Sequence, residues 1–141
     1  EVTGQYSQVA KAKQIKILQN APDGQKVVLQ ANAVRQILSI LVDNAIKYAP
    51  QKVGEVKIRV GLNKNSVEFI VKDNGPGISS NDQKRIFERF YRADAARTRT
   101  DASGYGLGLA IAKTLADRCG YIIRIKSKPS NGTEFILVIP N

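Results

Sequence analysis

Three polar side chains, Asn44, Lys47 and Tyr48, are spaced so that they share one face if their segment is helical. An amide oxygen can ligate Mg²⁺, a lysine ammonium can pair with a phosphate, and a tyrosine adds a hydroxyl or a ring contact. The same spacing is typical of the polar edge of an ordinary amphipathic helix, and on its own it favours that structural interpretation. A binding role for these residues therefore depends on the other motifs of the chain.

The segment Asp73-Asn74-Gly75-Pro76-Gly77 is favourable for a turn, because glycine permits positive φ and proline fixes its own φ. The carboxylate of Asp73 could also accept a hydrogen bond from the exocyclic amine of adenine. Guanine presents a carbonyl at that position, and two acceptors facing each other cost roughly 1–3 kcal/mol. We therefore expect such a site to select ATP over GTP, with glycines that let the backbone approach the base closely.

A second glycine-rich segment, Gly104-Tyr105-Gly106-Leu107-Gly108-Leu109, opens a predicted helix. Glycines at a helix N-terminus expose backbone N–H groups and the positive end of the helix dipole, which together form a natural seat for phosphate. The segment lacks the preceding strand and the Lys-Ser/Thr ending of a Walker loop, so that fold is disfavoured. The segment Gly132-Thr133-Glu134-Phe135 is a weaker signal, and it is also consistent with the simple start of a strand.

These motifs must be positioned by helices and strands that the hydrophobic pattern predicts. Helical periodicity, with caps at Asn32, at Ser80 with Gln83, and at Gly120, predicts helices over residues 32–48, 80–90 and 106–119. The first of these helices has an apolar stripe that is predicted to face the core, formed by Val34, Ile37, Leu38, Leu41, Val42, Ala45 and Ile46. Apolar runs, several of them alternating, predict strands over residues 15–18, 27–30, 56–62, 67–71, 121–127 and 133–139. The small, polar segment 93–103 has the composition of a lid or a disordered loop. We therefore expect an α+β protein with helices layered on one face of a mostly antiparallel sheet.

The composition of the 141 residues, 43% of them apolar, is sufficient for one domain with one hydrophobic core. No apolar run approaches the roughly 20 residues that span a bilayer, and the first residues have no signal-peptide pattern. The net charge of +10 favours anionic partners, and nucleic acid, acidic protein and nucleotide phosphates all fit charge alone. The chain has no histidine, which excludes His-based acid–base chemistry and self-phosphorylation on histidine. Its one cysteine, Cys119, is interpreted as a small buried hydrophobe.

The order of the motifs is more specific than any one of them. An Asn-bearing helix, an Asp-x-Gly-x-Gly turn, the segment 86–92 (Ile-Phe-Glu-Arg-Phe-Tyr-Arg), a Gly-x-Gly-Leu-Gly-Leu helix start and a Gly-Thr-x-Phe strand follow one another. This series resembles the N, G1, F, G2 and G3 boxes of the catalytic domain of bacterial sensor histidine kinases, from about Ile15 to the end of the chain. The resemblance implies the Bergerat ATP-binding fold, a two-layer α/β sandwich. In that fold a mixed, mostly antiparallel sheet of about five strands is covered on one face by three helices.

The resemblance also implies a role for each residue that matches a motif. Asn44 would hold Mg²⁺, Asp73 would read adenine, and residues 93–105 would form a lid over ATP. Phe87 and Phe90 would be hydrophobic anchors for that lid and for docking on the partner helix. The full set implied to bind the nucleotide is Asn44, Lys47, Tyr48, Asp73, Gly75, Gly77, Ile78, Tyr91, Arg92, Gly104, Tyr105, Gly106, Leu107, Gly108, Leu109 and Thr133.

Two positions depart from the pattern of that family. Ile40 stands where histidine kinases usually have a second asparagine, one turn before the Mg²⁺ asparagine, and it cannot ligate a metal or a water. Hydrolytic relatives carry a catalytic glutamate at this place, so its absence argues against an efficient stand-alone ATPase. Tyr105 stands between glycines, where a small residue is common, and its ring could stack on the nucleotide or obstruct it.

Together these features predict the ATP-binding catalytic domain of a two-component sensor histidine kinase over residues 1–141, with residues 1–13 as a linker remnant. The enzyme would transfer the γ-phosphate of ATP to a histidine on a separate dimerisation domain, with a response regulator as an indirect partner and no nucleic acid. The domain would be cytoplasmic, and other segments would anchor the intact protein in the bacterial cell membrane. Three alternatives are an anti-sigma-factor type serine kinase, a degenerate ATP-binding module of the same fold, and a basic nucleic-acid-binding protein.

Overall fold

The computed structural model describes residue 4 and residues 16–20, 29–91 and 106–140 of the chain. Its elements in chain order are β1 (Lys16–Asn20), α1 (Ala31–Tyr48), β2 (Glu55–Asn63), β3 (Ser66–Asp73), α2 (Ser80–Gln83), α3 (Gly108–Cys119), β4 (Ile122–Ser127) and β5 (Thr133–Pro140). No helix within these described ranges has both the length and the apolar character needed to cross a membrane.

One sheet contains the five described strands, in the order β1-β2-β3-β5-β4. β1 lies parallel to β2, whereas the other neighbouring pairs are antiparallel. β5 is inserted between β3 and β4, which places Thr133, at its start, opposite Asp73, at the end of β3. The predicted α+β class and the mixed, mostly antiparallel sheet of about five strands are therefore confirmed.

The hydrophobic core lies between the two longer helices and one face of the sheet. The apolar stripe predicted on α1 is buried throughout, and its members are Val34, Ile37, Leu38, Leu41, Val42, Ala45 and Ile46. Alternate residues of the central strands join the same buried cluster, namely Val67, Val71, Phe135, Leu137 and Ile139. Because side chains alternate between the two faces of a strand, this pattern commits one face of β3 and β5 to the core.

The helix predicted over residues 80–90 is wrong in its length and in its cap. α2 has only four residues, and it is capped by Ser79 instead of Ser80. The hydroxyl oxygen of Ser79 accepts a hydrogen bond from the N–H of Asp82 at 3.2 Å, and the hydroxyl donates to the Asp82 carboxylate at 2.9 Å. Two adjacent serines satisfy the same capping rule, so the sequence pattern alone does not distinguish Ser79 from Ser80.

Turns replace the expected helix after α2, and side chains anchor them to the core. Phe90 has a φ of 64°, a left-handed value that a right-handed helix does not contain. Ile86 is buried, and the ring of Phe87 meets the ring of Phe135 edge to face with centroids 6.4 Å apart. Phe90 itself is 70% exposed. The apolar spacing that suggested a helix therefore belongs to a turn, in which Ile86 and Phe87 reach the core and Phe90 does not.

The start of α1 also differs from its prediction. The helix follows directly after Gln30, which provides no side-chain cap, so Asn32 lies within the first turn and does not cap it. The strand predicted over residues 27–30 is absent at residues 29 and 30, and residues 27 and 28 lie outside the described part of the chain. A tertiary contact explains the change, because the N–H of Gln30 donates to the hydroxyl of Tyr121 at 3.0 Å.

Glycines set both ends of α3. The helix begins at Gly108, two residues later than predicted, because Gly106 has a φ of 73° and cannot be part of it. Gly120, with a φ of 71°, ends the helix as predicted. Cys119, the last residue of α3, is half-buried instead of buried, and its thiol donates to the side-chain oxygen of Gln30 at 3.4 Å.

Candidate functional site

Asp73 is a buried carboxylate at the end of β3, with only 5% of its surface exposed. Its Oδ1 accepts the N–H of Gly75 at 2.8 Å, and the backbone N–H of Thr133 donates a second hydrogen bond to the carboxylate. Burial raises the pKa of Asp73 from 3.8 to about 6, and the two N–H donors oppose that shift. Because an ionised carboxylate offers about four acceptor positions, capacity remains for a further donor such as a ring amine.

The turn after Asp73 packs against the C-terminal end of α1. A Cβ on Gly75 would lie 2.6 Å from the carbonyl oxygen of Tyr48 and 2.8 Å from Oδ1 of Asp73. Side-chain carbon atoms do not approach backbone oxygen so closely, so only glycine fits here without a shift. The structure therefore brings the backbone of Tyr48 close to Gly75 and Asp73, and the predicted contacts of these residues with a nucleotide stay predictions.

The same turn is joined to the loop between β4 and β5. Gly77 has a φ of 74°, and a Cβ there would lie 2.0 Å from the carbonyl oxygen of Lys128. The N–H of Ser130 donates to the carbonyl of Pro76 at 2.7 Å. Gly132 also lies against the backbone next to this turn, because a Cβ there would lie 2.0 Å from the carbonyl oxygen of Asp73. The close approaches at Gly77 and Gly132 therefore keep the turn after Asp73 against the loop between β4 and β5.

Ser127, at the end of β4, links these loops through its side chain. Its hydroxyl accepts the N–H of Ile78 at 2.8 Å and lies 2.8 Å from the carbonyl oxygen of Gly132, to which it can donate. The hydroxyl oxygen of Thr133 lies 2.9 Å from the hydroxyl oxygen of Ser127. Ser127 therefore connects Ile78 with Thr133, the strand partner of Asp73, and it is a positioning residue that the sequence motifs did not identify.

The exposed edge of α1 carries the polar residues that were predicted to meet phosphate and metal. Lys47 forms an ion pair with Asp43, with 2.9 Å between Nζ and Oδ2, and both side chains keep part of their surface in solvent. Asn44 is half-buried. Within the part of the chain that the structure describes, its side chain makes no hydrogen bond. Asn44 therefore keeps its amide oxygen available, as a metal ligand must.

The start of α3 lies across from α1 and next to Tyr91. A Cβ on Gly106 would lie 2.7 Å from the carbonyl oxygen of Tyr91, and a Cβ on Gly108 would lie 3.3 Å from Cγ2 of Ile40. Ile40 packs against the hydrophobic core, so the departure from the family pattern is a packing residue beneath the first turn of α3. Leu107 precedes the helix without a side-chain cap, and Leu109 is buried.

Tyr91 is held by neighbours that the sequence motifs did not indicate. Its hydroxyl donates to the buried carboxylate of Asp82, and the guanidinium carbon of Arg85 lies 4.6 Å from the centre of its ring. Arg92, Gly104 and Tyr105, together with the expected lid over residues 93–105, lie outside the described residues. Their predicted contacts with the nucleotide stay predictions.

The donor set of the site indicates which groups it could hold. Among residues 16–20, 29–91 and 106–140, His, Cys, Asp and Glu side chains form no cluster of three or more that could bind a metal ion. A metal at this site would therefore depend on oxygens such as the Asn44 amide and on phosphate oxygens of a nucleotide. A buried acceptor at Asp73, a lysine on α1 and an uncapped helix start are features of a nucleotide site rather than of a preformed metal centre.

The chain is similar to known proteins over nearly all of its length. Residues 29–141 match the family described as histidine kinase-, DNA gyrase B-, and HSP90-like ATPase. The sensor-like histidine kinase SenX3 of Mycolicibacterium smegmatis is 39% identical over 140 residues, which cover 99% of this chain and 36% of that protein. The sensor histidine kinase WalK of Bacillus subtilis is 35% identical over 136 residues, which cover 94% of this chain and 22% of that protein. The chain therefore spans about a third or less of these relatives.

Solved structures show the same fold. The mycobacterial sensor histidine kinase MprB superimposes with a TM-score of 0.82 at 26% identity, over 99% of this chain and 92% of that one. Full-length ShkA in complex with AMPPNP gives a TM-score of 0.83 at 30% identity, over 99% of this chain and 28% of that one. The chain belongs to the histidine kinase-, DNA gyrase B-, and HSP90-like ATPase family, and within it corresponds to the catalytic domain of sensor histidine kinases.

Proposed function

We propose that this domain binds ATP with Mg²⁺ and presents the γ-phosphate to a histidine on a separate dimerisation domain. The chain contains no histidine, so the phosphoryl acceptor must be supplied by another domain. Residues 1–141 would form a single catalytic domain, with residues 1–13 as the linker from the dimerisation domain. The intact protein would be dimeric and anchored in the cell membrane, with this domain in the cytoplasm. A response regulator would then take the phosphoryl group from the histidine.

The observation that carries this proposal is the environment of Asp73. The carboxylate is buried, and it accepts N–H groups from Gly75 and Thr133, which fix its position at the ends of two adjacent strands. A fixed acceptor in a buried position selects a ligand that donates a hydrogen bond there, because an unpaired buried acceptor costs free energy. The exocyclic amine of adenine supplies that donor, and the carbonyl of guanine does not.

Residues of α1 would act on the phosphate side. The ion pair with Asp43 keeps the ammonium of Lys47 on the edge of the helix that also carries Asn44, where it can pair with a phosphate. The half-buried amide of Asn44 fits a metal ligand, because no described residue occupies its oxygen. Bound Mg²⁺ would offset the negative charge of the transferred phosphoryl group. Positioning would supply most of the remaining rate enhancement.

The experiment combines this chain with the dimerisation domain of the same protein and with ATP labelled at the γ-phosphate. We expect acid-labile label on the dimerisation domain, and none after Asp73→Asn or after replacement of the acceptor histidine by glutamine. Acid-stable label on a serine would favour the anti-sigma-factor type alternative. No label on any acceptor, although ATP binds, would favour the degenerate module and contradict the proposed transfer.

A further inference from the structure

We propose that the four-residue helix α2 braces both sides of the nucleotide site, through Asp82 on the phosphate side and Gln83 on the base side. This inference rests on the proposed function, because it assigns positioning roles around the ATP site. The sequence motifs give no role to Asp82 and only a capping role to Gln83. Consecutive residues of one short helix would therefore tie together two parts of the site that are far apart in the sequence.

Asp82 fixes the orientation of Tyr91. Asp82 is buried, with 9% of its surface exposed, and within the described part of the chain its carboxylate accepts the hydroxyl of Ser79, at 2.9 Å, and the hydroxyl of Tyr91. The guanidinium of Arg85 stacks on the Tyr91 ring, 4.6 Å from its centre, and is itself bound to Glu88. With its hydroxyl and its ring both engaged, the Tyr91 side chain sets the course of the backbone at residues 90 and 91.

That backbone positions the start of α3. The N–H of Phe90 donates to the carbonyl of Gly106 at 3.1 Å, and Gly106 packs so tightly on Tyr91 that a Cβ would lie 2.7 Å from the Tyr91 carbonyl oxygen. Gly106 is two residues before the first residue of α3, whose uncapped N–H groups are the proposed phosphate seat. Losing the hydrogen bond between Asp82 and Tyr91 would therefore loosen the phosphate side.

Gln83 acts in the opposite direction, toward the base. Its side-chain N–H₂ donates to the carbonyl of Ile78 at 2.8 Å and to the carbonyl of Ser127 at 3.0 Å. These two carbonyls belong to the turn after Asp73 and to the end of β4. The hydroxyl of Ser127 contacts the hydroxyl of Thr133, and the backbone N–H of Thr133 donates to Asp73. The Gln83 amide therefore holds together the loops that position Asp73, the proposed adenine acceptor.

The contacts of Asp82 and those of Gln83 predict different losses of affinity for two ligands, AMPPNP and adenosine. Removing the Asp82–Tyr91 hydrogen bond by Tyr91→Phe or Asp82→Ala should weaken AMPPNP binding about three- to tenfold and leave adenosine binding unchanged, because adenosine has no phosphate. Asp82→Asn should retain most of the affinity, since its amide oxygen can still accept the Tyr91 hydroxyl. Gln83→Ala should weaken AMPPNP and adenosine by the same factor.

The experiment is a titration of this chain and its variants with AMPPNP and with adenosine, accompanied by thermal unfolding. Asp117→Asn, which breaks an exposed ion pair with Lys113 far along α3, is the matched control and should change neither affinity. The double variant Asp82→Ala with Tyr91→Phe should lose less AMPPNP affinity than the sum of the two single losses, because both variants remove the hydrogen bond that the two residues share.

Three results would overturn the inference. The first is additive losses in the double variant, and the second is equal weakening of adenosine and AMPPNP by Tyr91→Phe. The third is a loss by Asp82→Asn as large as that by Asp82→Ala. Failure of the unaltered chain to bind either probe would instead overturn the proposed function, and this inference with it.

Discussion

At the scale of single residues, Asp73 is subject to two opposing effects. Burial disfavours its charged form and raises its pKa to about 6, whereas the N–H groups of Gly75 and Thr133 stabilise the charge. Because this pKa is close to neutral pH, a proton and a ligand amine compete for the carboxylate. A donor that binds the charged form lowers the pKa of Asp73, so ligand binding and proton release are linked.

This linkage predicts how adenosine affinity depends on pH. Below a pH of about 6, a growing fraction of Asp73 is protonated, and its proton must leave before the carboxylate can accept the amine. Adenosine affinity should thus be constant above about pH 7 and fall by up to tenfold per pH unit at low pH. Adenosine is the suitable probe because it has no phosphate that titrates in this range. A flat affinity between about pH 5 and about pH 7 would contradict the role of Asp73.

The free energy of unfolding should respond to the same group with a defined sign. Because the folded-state pKa of Asp73 is raised from 3.8 to about 6, its contribution to stability is complete below 3.8 and is lost as pH rises through about 6. Relative to Asp73→Asn, the unaltered chain should lose on the order of 3 kcal/mol between these limits, at about 1.4 kcal/mol per pKa unit. Urea unfolding of both proteins at several pH values measures this difference. Parallel stability curves for the two proteins would contradict it.

At the scale of elements, glycines determine how closely the loops of the site approach each other. Gly77 and Gly120 have almost the same φ, 74° and 71°, but a Cβ on Gly77 would lie 2.0 Å from the Lys128 carbonyl oxygen, whereas Gly120 has open space. Gly120→Ala should cost about 1–2 kcal/mol for its left-handed backbone. Gly77→Ala should cost clearly more, because the loop must also move. Equal costs in chemical unfolding would show that the two loops are not in tight contact.

Two residues of α1 are expected to have different roles, Asn44 in metal binding and Ile40 in packing. Asn44→Ala should remove the enhancement of AMPPNP binding by Mg²⁺ while leaving thermal stability intact, because no described residue hydrogen-bonds to its side chain. Ile40→Ala should instead lower the stability and retain the enhancement of AMPPNP binding by Mg²⁺, because Ile40 packs on the core beneath Gly108. Its cost should be about 1–3 kcal/mol, since the site is only half-buried. Unfolding and titration with and without Mg²⁺ distinguish the two residues, and loss of stability in Asn44→Ala would contradict this assignment.

The elements also show what can be predicted from the sequence and what cannot. The stripe from Val34 to Ile46 was predicted in full, because a helix facing a core repeats with a period that the sequence displays directly. The length of α2 was not predicted, because the positive φ of Phe90 and the backbone contacts of residues 90 and 91 with Gly106 leave no sign in the local periodicity. The role of Ser127 was missed for the same reason, since a serine at a strand end has no distinctive local pattern.

At the scale of the whole molecule, the order of the strands assembles the site. Inserting β5 between β3 and β4 brings Thr133 opposite Asp73, although 60 positions separate them in the numbering. Local patterns predicted each strand but not this pairing, because the choice of neighbours is a long-range property. The order of the motifs indicated this pairing only indirectly, through the resemblance to the catalytic domain of histidine kinases. The net charge of +10 fits a domain that binds a polyanionic nucleotide.

The measurement that tests the central claim most directly is a calorimetric titration with AMPPNP and Mg²⁺, on the unaltered chain and on Asp73→Asn, with a matching GTP analogue. We predict binding of AMPPNP by the unaltered chain, no binding of the GTP analogue, and loss of AMPPNP binding in Asp73→Asn while the fold is retained. Equal binding of both nucleotides, or full AMPPNP affinity in Asp73→Asn, would contradict the assignment of Asp73 as the residue that reads adenine.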